Sequence, residues 1–313
     1  MRSMQENFDL LYSRIKEGTQ SVSLECLNKT LEHIKEPTIC IGTGGSYAPA
    51  IYAEKILNKK HNILARAMEP RGVLYTDLKY YDNLVALSYG NKNAGINQAL
   101  KHANDSELRT YILTSSENKG YAENLIRFRQ NDEKSFISIA GTLIPMGVLL
   151  KYYLENDVYL ERLISCIFDN ESTYEINDNP IYEILYGVDS KVATNILEST
   201  MVESGIAIPI LSEKYSYCHG RSTTAHHHPI NLIYLINGEP NELDKVLLGE
   251  AQSSYENILL LESDYQDSIL GEYDLSVKAL ELCRQIALKH NKDLTKVDYN
   301  PAVKRLYKFD GKM

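Results

Sequence analysis

Residues 39–57, ICIGTGGSYAPAIYAEKIL, pass from a short apolar stretch through a glycine cluster into a segment of helical composition. Strand, glycine turn and helix in that order usually form an anion cradle. The first backbone N–H groups of the helix point at the ligand, and the helix dipole favours negative charge. Two familiar phosphate motifs are excluded. A dinucleotide loop needs G-x-G-x-x-G, and Tyr47 stands at the third, closest-packed position; a Walker loop needs G-K-[ST], and no lysine follows the glycines. For an isolated GTGGS, a tight turn or C-cap without ligand is the alternative. A second candidate is AHHHP at 225–229, three consecutive histidines that invite a metal. Consecutive side chains on a helix point in different directions, and only Cys218 lies near enough in sequence to help complete a tetrahedral set. Exposed or pocket-rim histidines fit better, and no metal is expected.

To work as a cradle, the glycine loop must stand at the carboxyl end of a strand in a parallel sheet. The pattern supplies one. Short apolar runs at 39–41, 63–68, 84–87, 111–113 and 136–139 read as strands, with helical segments at 96–103 and 121–129 between them. An opening helix spans about 5–36, breaks near Gly18 and is ended by Pro37, which cannot continue the hydrogen-bond ladder. Residues 142–153 read as a buried helix. The polar stretch 169–180 reads as a linker, after which alternation resumes: strand 184–188, helix 191–204, and a strand or loop at 206–211. Strands 232–236 and 258–261 flank a helix over 243–255, and a helix over 275–290 leads into the tail. Such alternation predicts an α/β chain with parallel sheets covered on both faces. The expected division is an N-terminal helical segment (1–36), a first domain (37–168), the linker (169–180) and a second domain with C-terminal tail (181–313).

Composition narrows the function classes. A net charge of −9 over 313 residues argues against a nucleic-acid surface, which needs clustered Lys and Arg. Hydrophobic content of 43% with 24% charged residues describes an ordinary globular protein. Five scattered cysteines without a C-x-x-C pair suit free thiols in a reducing compartment. The N-terminus has no apolar signal core, and the longest apolar run, 136–150, is too short to span a bilayer and contains Pro145. A cytoplasmic protein with no nucleic-acid or membrane partner is expected.

The stretch ICIGTGGSYAPA resembles the first loop of the sugar isomerase (SIS) domain, in which a serine after the glycines contacts a sugar phosphate. The family's next loop reads approximately S-x-S-G-x-T; here it is Ser88-Tyr89-Gly90-Asn91-Lys92-Asn93. YILTSSENKG and ISIAGTLIP are similar to the later loops. By this resemblance Thr43, Gly45, Ser46, Ser88, Asn93 and Thr142 form the substrate and phosphate site. Residues 187–221 resemble the second SIS repeat of sugar-phosphate aminotransferase-isomerases, deaminases and deglycases. Glu203 and His219 stand sixteen residues apart, the offset found in the isomerase half of glucosamine-6-phosphate synthase. Arg221 replaces that family's proline in H-G-P. Lys296, Lys304 or Lys308 would match a C-terminal lysine near the sugar.

The resemblance implies two tandem SIS-type three-layer αβα units with parallel, flavodoxin-like sheets. It implies a phosphorylated sugar or amino sugar as ligand, and aldose–ketose isomerisation, deamination or deglycation as reaction. Glu203 would be the general base, because the chemistry moves a proton between C1 and C2. His219 would assist ring opening, in the family from a neighbouring subunit, so a homodimer or higher homo-oligomer is expected. No cofactor is required. No glutaminase domain precedes the first repeat, so the full synthase is not expected. The alternative is a non-catalytic sugar-phosphate-binding regulator or sensor, to which the altered Ser88–Asn93 loop and Arg221 point. For Glu203 a solvated helix glutamate, and for His219 a structural histidine, are the other readings.

Overall fold

The computed structural model describes residues 3–170 and 172–296, the side chain of His226 excepted. Lys304 and Lys308 lie outside the described residues; Lys296 is exposed. The chain divides into two compact units, one running to Cys166 and joined by Lys296, the other Ile167–Thr295. The division falls three residues ahead of the polar stretch 169–180.

The first unit opens with α1 (Met4–Asp9), α2 (Leu11–Gln20) and α3 (Leu24–Leu31), not with one long helix. Local chemistry sets the breaks. Ser3 and Glu6 form a capping box at the start of α1, and the Ser23 side chain accepts from the Cys26 N–H at the start of α3. Gly18 breaks nothing; it lies inside α2, where a Cβ would stand 2.7 Å from the Ile144 side chain. Then follow β1 (Thr38–Ile41), α4 (Tyr47–His61), β2 (Ala65–Met68), β3 (Asn83–Leu87), α5 (Ala94–Asp105), β4 (Arg109–Thr114) and β5 (Asn124–Arg127). The unit closes with α6 (Ala140–Leu154) and most of α7 (Asp157–Asp169), whose last three residues fall in the second unit. All pairings are parallel, in the order β2-β1-β3-β4-β5. Strand β3 is buried along its whole length, which explains its continuous apolar sequence.

Two expectations are corrected here. The segment expected as a helix over 121–129 holds β5, a four-residue edge strand paired to β4. The segment expected as a strand over 136–139 is irregular. Its buried backbone is satisfied in another way: Glu133 accepts from the N–H groups of Ile139, Ala140 and Gly141 at 3.0–3.1 Å.

The second unit contains β6 (Ile181–Tyr186), α8 (Lys191–Ser204), β7 (Ile208–Glu213), the single turn α9 (Lys214–Ser216) and α10 (Thr223–His227). It continues with β8 (Asn231–Asn237), α11 (Glu242–Ala251), β9 (Asn257–Ser263) and α12 (Ser268–Lys289). Its parallel order is β7-β6-β8-β9. Helix α12 starts earlier than its periodicity suggested, because the Asp267 side chain accepts from the Ile269 N–H and caps it. Among the described residues no helix is long and apolar enough to cross a membrane.

Candidate functional site

In the first sheet the connections reverse direction between β1 and β3, and the crevice beyond their carboxyl ends is the place where such sheets hold ligands. Register pairs Ile41 with Ala86, so the loop after β1 and the loop after β3 are neighbours. Gly42 is required where it stands, since a Cβ there would lie 2.0 Å from the Ser46 carbonyl oxygen. The loop then turns tightly: the Ser46 N–H donates to the Thr43 carbonyl at 3.1 Å, and the Tyr47 N–H to that of Gly44. Ser46 is half-buried at the head of α4 and its side chain makes no cap bond. Ser88 is buried, its N–H held by the Leu113 carbonyl.

The other expected binding residues have internal work. The Asn93 side chain accepts from the Ile96 N–H at 3.0 Å and caps α5. The Thr142 hydroxyl lies 2.8 Å from the Ser138 carbonyl and 3.1 Å from that of Gly45, so it ties the glycine loop to α6. Thr43 stands near the carboxyl of Glu69, which follows β2; burial pushes that carboxyl upward and the Thr43 hydroxyl opposes the shift. Glu133 occupies the N–H groups at the head of α6, its carboxyl raised by burial against those three bonds. Sequence reading gave no role to Asn91. It stands at φ +46, where the family pattern has glycine, and its amide donates to the Asn118 carbonyl at 2.7 Å. Asparagine is among the few residues that adopt this left-handed conformation readily, which was the available signal.

Glu203 and His219 belong to the second unit. Glu203 is in the last turn of α8, exposed, and accepts from the Ser199 hydroxyl at 2.8 Å. The protein packed around this end of α8 pushes its carboxyl above the ordinary range; the Ser199 bond opposes this and the Glu198 charge adds to it. His219 is exposed on a bulged segment, Tyr217–Arg221, made possible by Gly220 at φ +99. Among the described residues it has no side-chain partner. Arg221, in place of the family's proline, donates to the Leu211 carbonyl at 3.2 Å.

The equivalent crevice of the second sheet, between β6 and β8, is closed by the chain itself. Asn237 donates to the Asp189 carbonyl at 2.6 Å and to that of Ser268 at 3.1 Å, stitching the two loops together. The fully buried Glu272 takes the N–H groups of Val192 and Ala193 at 3.3 Å, at the head of α8. The two units therefore differ: among the described residues, the Ser46 and Ser88 hydroxyls of one crevice have no partner, while the other crevice is filled. Among the described residues no group of three or more His, Cys, Asp or Glu side chains is gathered to hold a metal; His227 and His228 are exposed.

No protein-family model matches the sequence, and no curated protein matches it. Solved structures do. A candidate phosphosugar isomerase from Clostridium difficile 630 aligns with a TM-score of 0.74 at 15% identity, covering 98% of each chain. The C-terminal domain of glucosamine-fructose-6-phosphate aminotransferase from Francisella tularensis aligns at 0.70 and 12%, covering 94% of this chain and 97% of that one. Tagatose-6-phosphate ketose/aldose isomerase from Escherichia coli aligns at 0.70 and 12%, covering 95% and 96%. At such identities the likeness establishes the fold, over 94–98% of the chain.

Proposed function

We propose that this chain, which has the fold of the tandem sugar isomerase domains, binds a phosphorylated sugar or amino sugar in the first unit's crevice and moves a proton between C1 and C2. The observation that carries the reading is the pair of uncommitted hydroxyls, Ser46 and Ser88, on adjacent loops at the β1–β3 reversal. Together with the head of α4, they are donors suited to a phosphate. Each hydroxyl bonded to a charged oxygen is worth about 1.5–3 kcal/mol. Ser46→Ala and Ser88→Ala are therefore each expected to weaken hexosamine-phosphate binding by about 10–100-fold, read as a calorimetric Kd for glucosamine 6-phosphate. Unchanged affinity in both variants would remove the phosphate from this crevice.

In the reaction, Glu203 accepts the C2 proton of the open-chain aldose and returns it to C1 of the ene-diol intermediate, while His219 carries the proton of the ring oxygen as the ring opens. Ser199 holds the Glu203 carboxylate in one orientation. Deamination and deglycation share this proton step. Assembly as a homodimer belongs to the same reading, since His219 stands exposed. The direct test is washout in deuterated water, followed by proton NMR, of the C2 proton of glucosamine 6-phosphate or of a C1 proton of fructose 6-phosphate.

The pH dependence has a definite sign. A base must be ionised, and the Glu203 carboxyl is raised from its ordinary value of 4.5, so exchange should fall as pH drops through a value above 4.5. The Glu198 charge contributes to that elevation. Glu198→Gln is expected to move the acidic limb of the rate profile to lower pH with the plateau retained. A limb that stays in place assigns the titration to another group.

A second reading, a sugar-phosphate sensor without catalysis, draws on the internal commitments of Thr43, Asn93 and Thr142, which leave fewer donors for a ligand. Saturable binding with no C2 exchange would select it.

A further inference from the structure

Beneath His219 lie two buried polar clusters that the proton-transfer chemistry does not use. Glu183, on β6, is 1% exposed. Ser212 donates to its Oε1 at 2.5 Å and Tyr255 to its Oε2 at 2.7 Å. The Tyr217 and Tyr255 hydroxyl oxygens are 2.8 Å apart. Tyr255 has one proton and gives it to the carboxylate, so Tyr217 must be the donor in that last bond. The chain therefore runs Tyr217 to Tyr255 to Glu183, with Ser212 arriving from the other side. Burial raises both tyrosine hydroxyls above their ordinary value and keeps them protonated as donors.

The second cluster is anchored three residues earlier. Lys214, 6% exposed, donates to Asp244 at 2.6 Å, and Tyr234 donates to the same oxygen at 2.8 Å. The other Asp244 oxygen accepts from the Asn241 N–H at 2.9 Å. The Lys214 ammonium also lies 4.6 Å from the centre of the Tyr234 ring. Tyr217 is the first residue of the bulged segment, and Lys214 stands three residues before it. At its far end Arg221 is held to the Leu211 carbonyl, and Thr223 donates to the Gly220 carbonyl at 2.8 Å. His219 is exposed on this segment, as are Cys218 and Arg221, and its backbone stands at φ −94, ψ 34, outside the helical region.

We propose that Glu183, Tyr255, Tyr217, Lys214 and Asp244 are positioning residues for His219: two buried hydrogen-bonded chains that clamp the bulged segment from below and fix the direction in which the imidazole is presented. Neither chain touches a ligand in this account. Their effect is geometric, and small displacements of a proton-transfer group are costly to rate while leaving binding intact. The inference rests on the role given to His219 above.

The experiment uses the full chain and two independent readouts. Tyr255→Phe deletes one hydroxyl and keeps the ring. Backbone amide exchange, followed by mass spectrometry, is expected to accelerate at least tenfold over residues 214–222, with β8 and α12 unchanged. The C2 exchange rate at saturating glucosamine 6-phosphate should fall about 10–100-fold, with KM within twofold of wild type. Glu183→Gln, which keeps a carbonyl acceptor, should retain more rate than Glu183→Leu. Should Tyr255→Phe fail to fold, Tyr217→Phe removes the bulged segment's own hydroxyl from the same chain and is read identically.

Unaltered amide exchange over 214–222 overturns the proposal, as does a rate loss matched by an equal rise in KM. If the wild-type protein catalyses no C2 exchange, it is the reading of the reaction that fails. The amide-exchange measurement then still decides whether these residues clamp the segment.

Discussion

Glu203→Gln is expected to lower the C2 exchange rate by about 10²–10⁴-fold, the usual contribution of a positioned general base. The substitution keeps the side chain's shape and an oxygen to accept from Ser199, so it removes basicity and little else. Because Glu203 is exposed in the last turn of α8, the folded state should scarcely notice, with a change within about 0.5 kcal/mol. Proton NMR of C2 washout and a denaturant midpoint, measured on one preparation, separate the two quantities. An undiminished exchange rate would falsify the assignment of the base. A large loss of stability would make the rate uninterpretable and return Glu203 to a structural role.

Asp244→Ala should produce the largest stability change among the residues described here. It leaves Lys214, whose side chain is 8% exposed, with a buried charge and no carboxylate. Breaking a buried pair by removing one partner costs about 3–5 kcal/mol. Urea unfolding of the variant measures it. The double variant Asp244→Ala, Lys214→Met should recover most of the loss, since removing both charges can be nearly neutral. Burial alone would raise the Asp244 carboxyl, but the hydrogen bonds from Lys214 and the Asn241 N–H lead the interactions that bring it below 3.8. The sign of its pH dependence follows. The contribution is fully present above 3.8 and is lost as pH falls through the depressed folded value. A variant lacking Asp244 should therefore show a shallower loss of stability on acidification.

Much of this was readable beforehand, for identifiable reasons. The strand at 84–87 and the helix at 191–204 are long or apolar enough for pattern to decide, and Gly42 and Ser46 lie where a parallel sheet needs them. The failures share a cause. Residues 136–139 are apolar and partly buried like a strand, yet their neighbouring N–H groups are satisfied by one carboxylate, Glu133, and no periodicity announces that. Strand β5 is four residues at a sheet edge, too short for alternation to stand out from the surrounding charges. At the site, the resemblance put Thr43, Asn93 and Thr142 beside a ligand. Only the structure shows their side chains turned to Glu69, the Ile96 N–H and the Ser138 carbonyl. Tyr217, Tyr255 and Glu183 are separated by up to 72 positions and meet through the fold alone.

The closed crevice of the second unit has a consequence for specificity. Glu272 is in effect a ligand tethered to its own receptor. A tethered group competes at an effective concentration on the order of millimolar or more, set by chain geometry and not by supply. With the carboxylate already seated on the Val192 and Ala193 N–H groups, a free phosphate at cellular levels meets an occupied receptor. Duplicating an anion-binding architecture need not duplicate its stoichiometry. With Glu272 seated in the second crevice, the proposed reading expects a single molecule of ligand per chain.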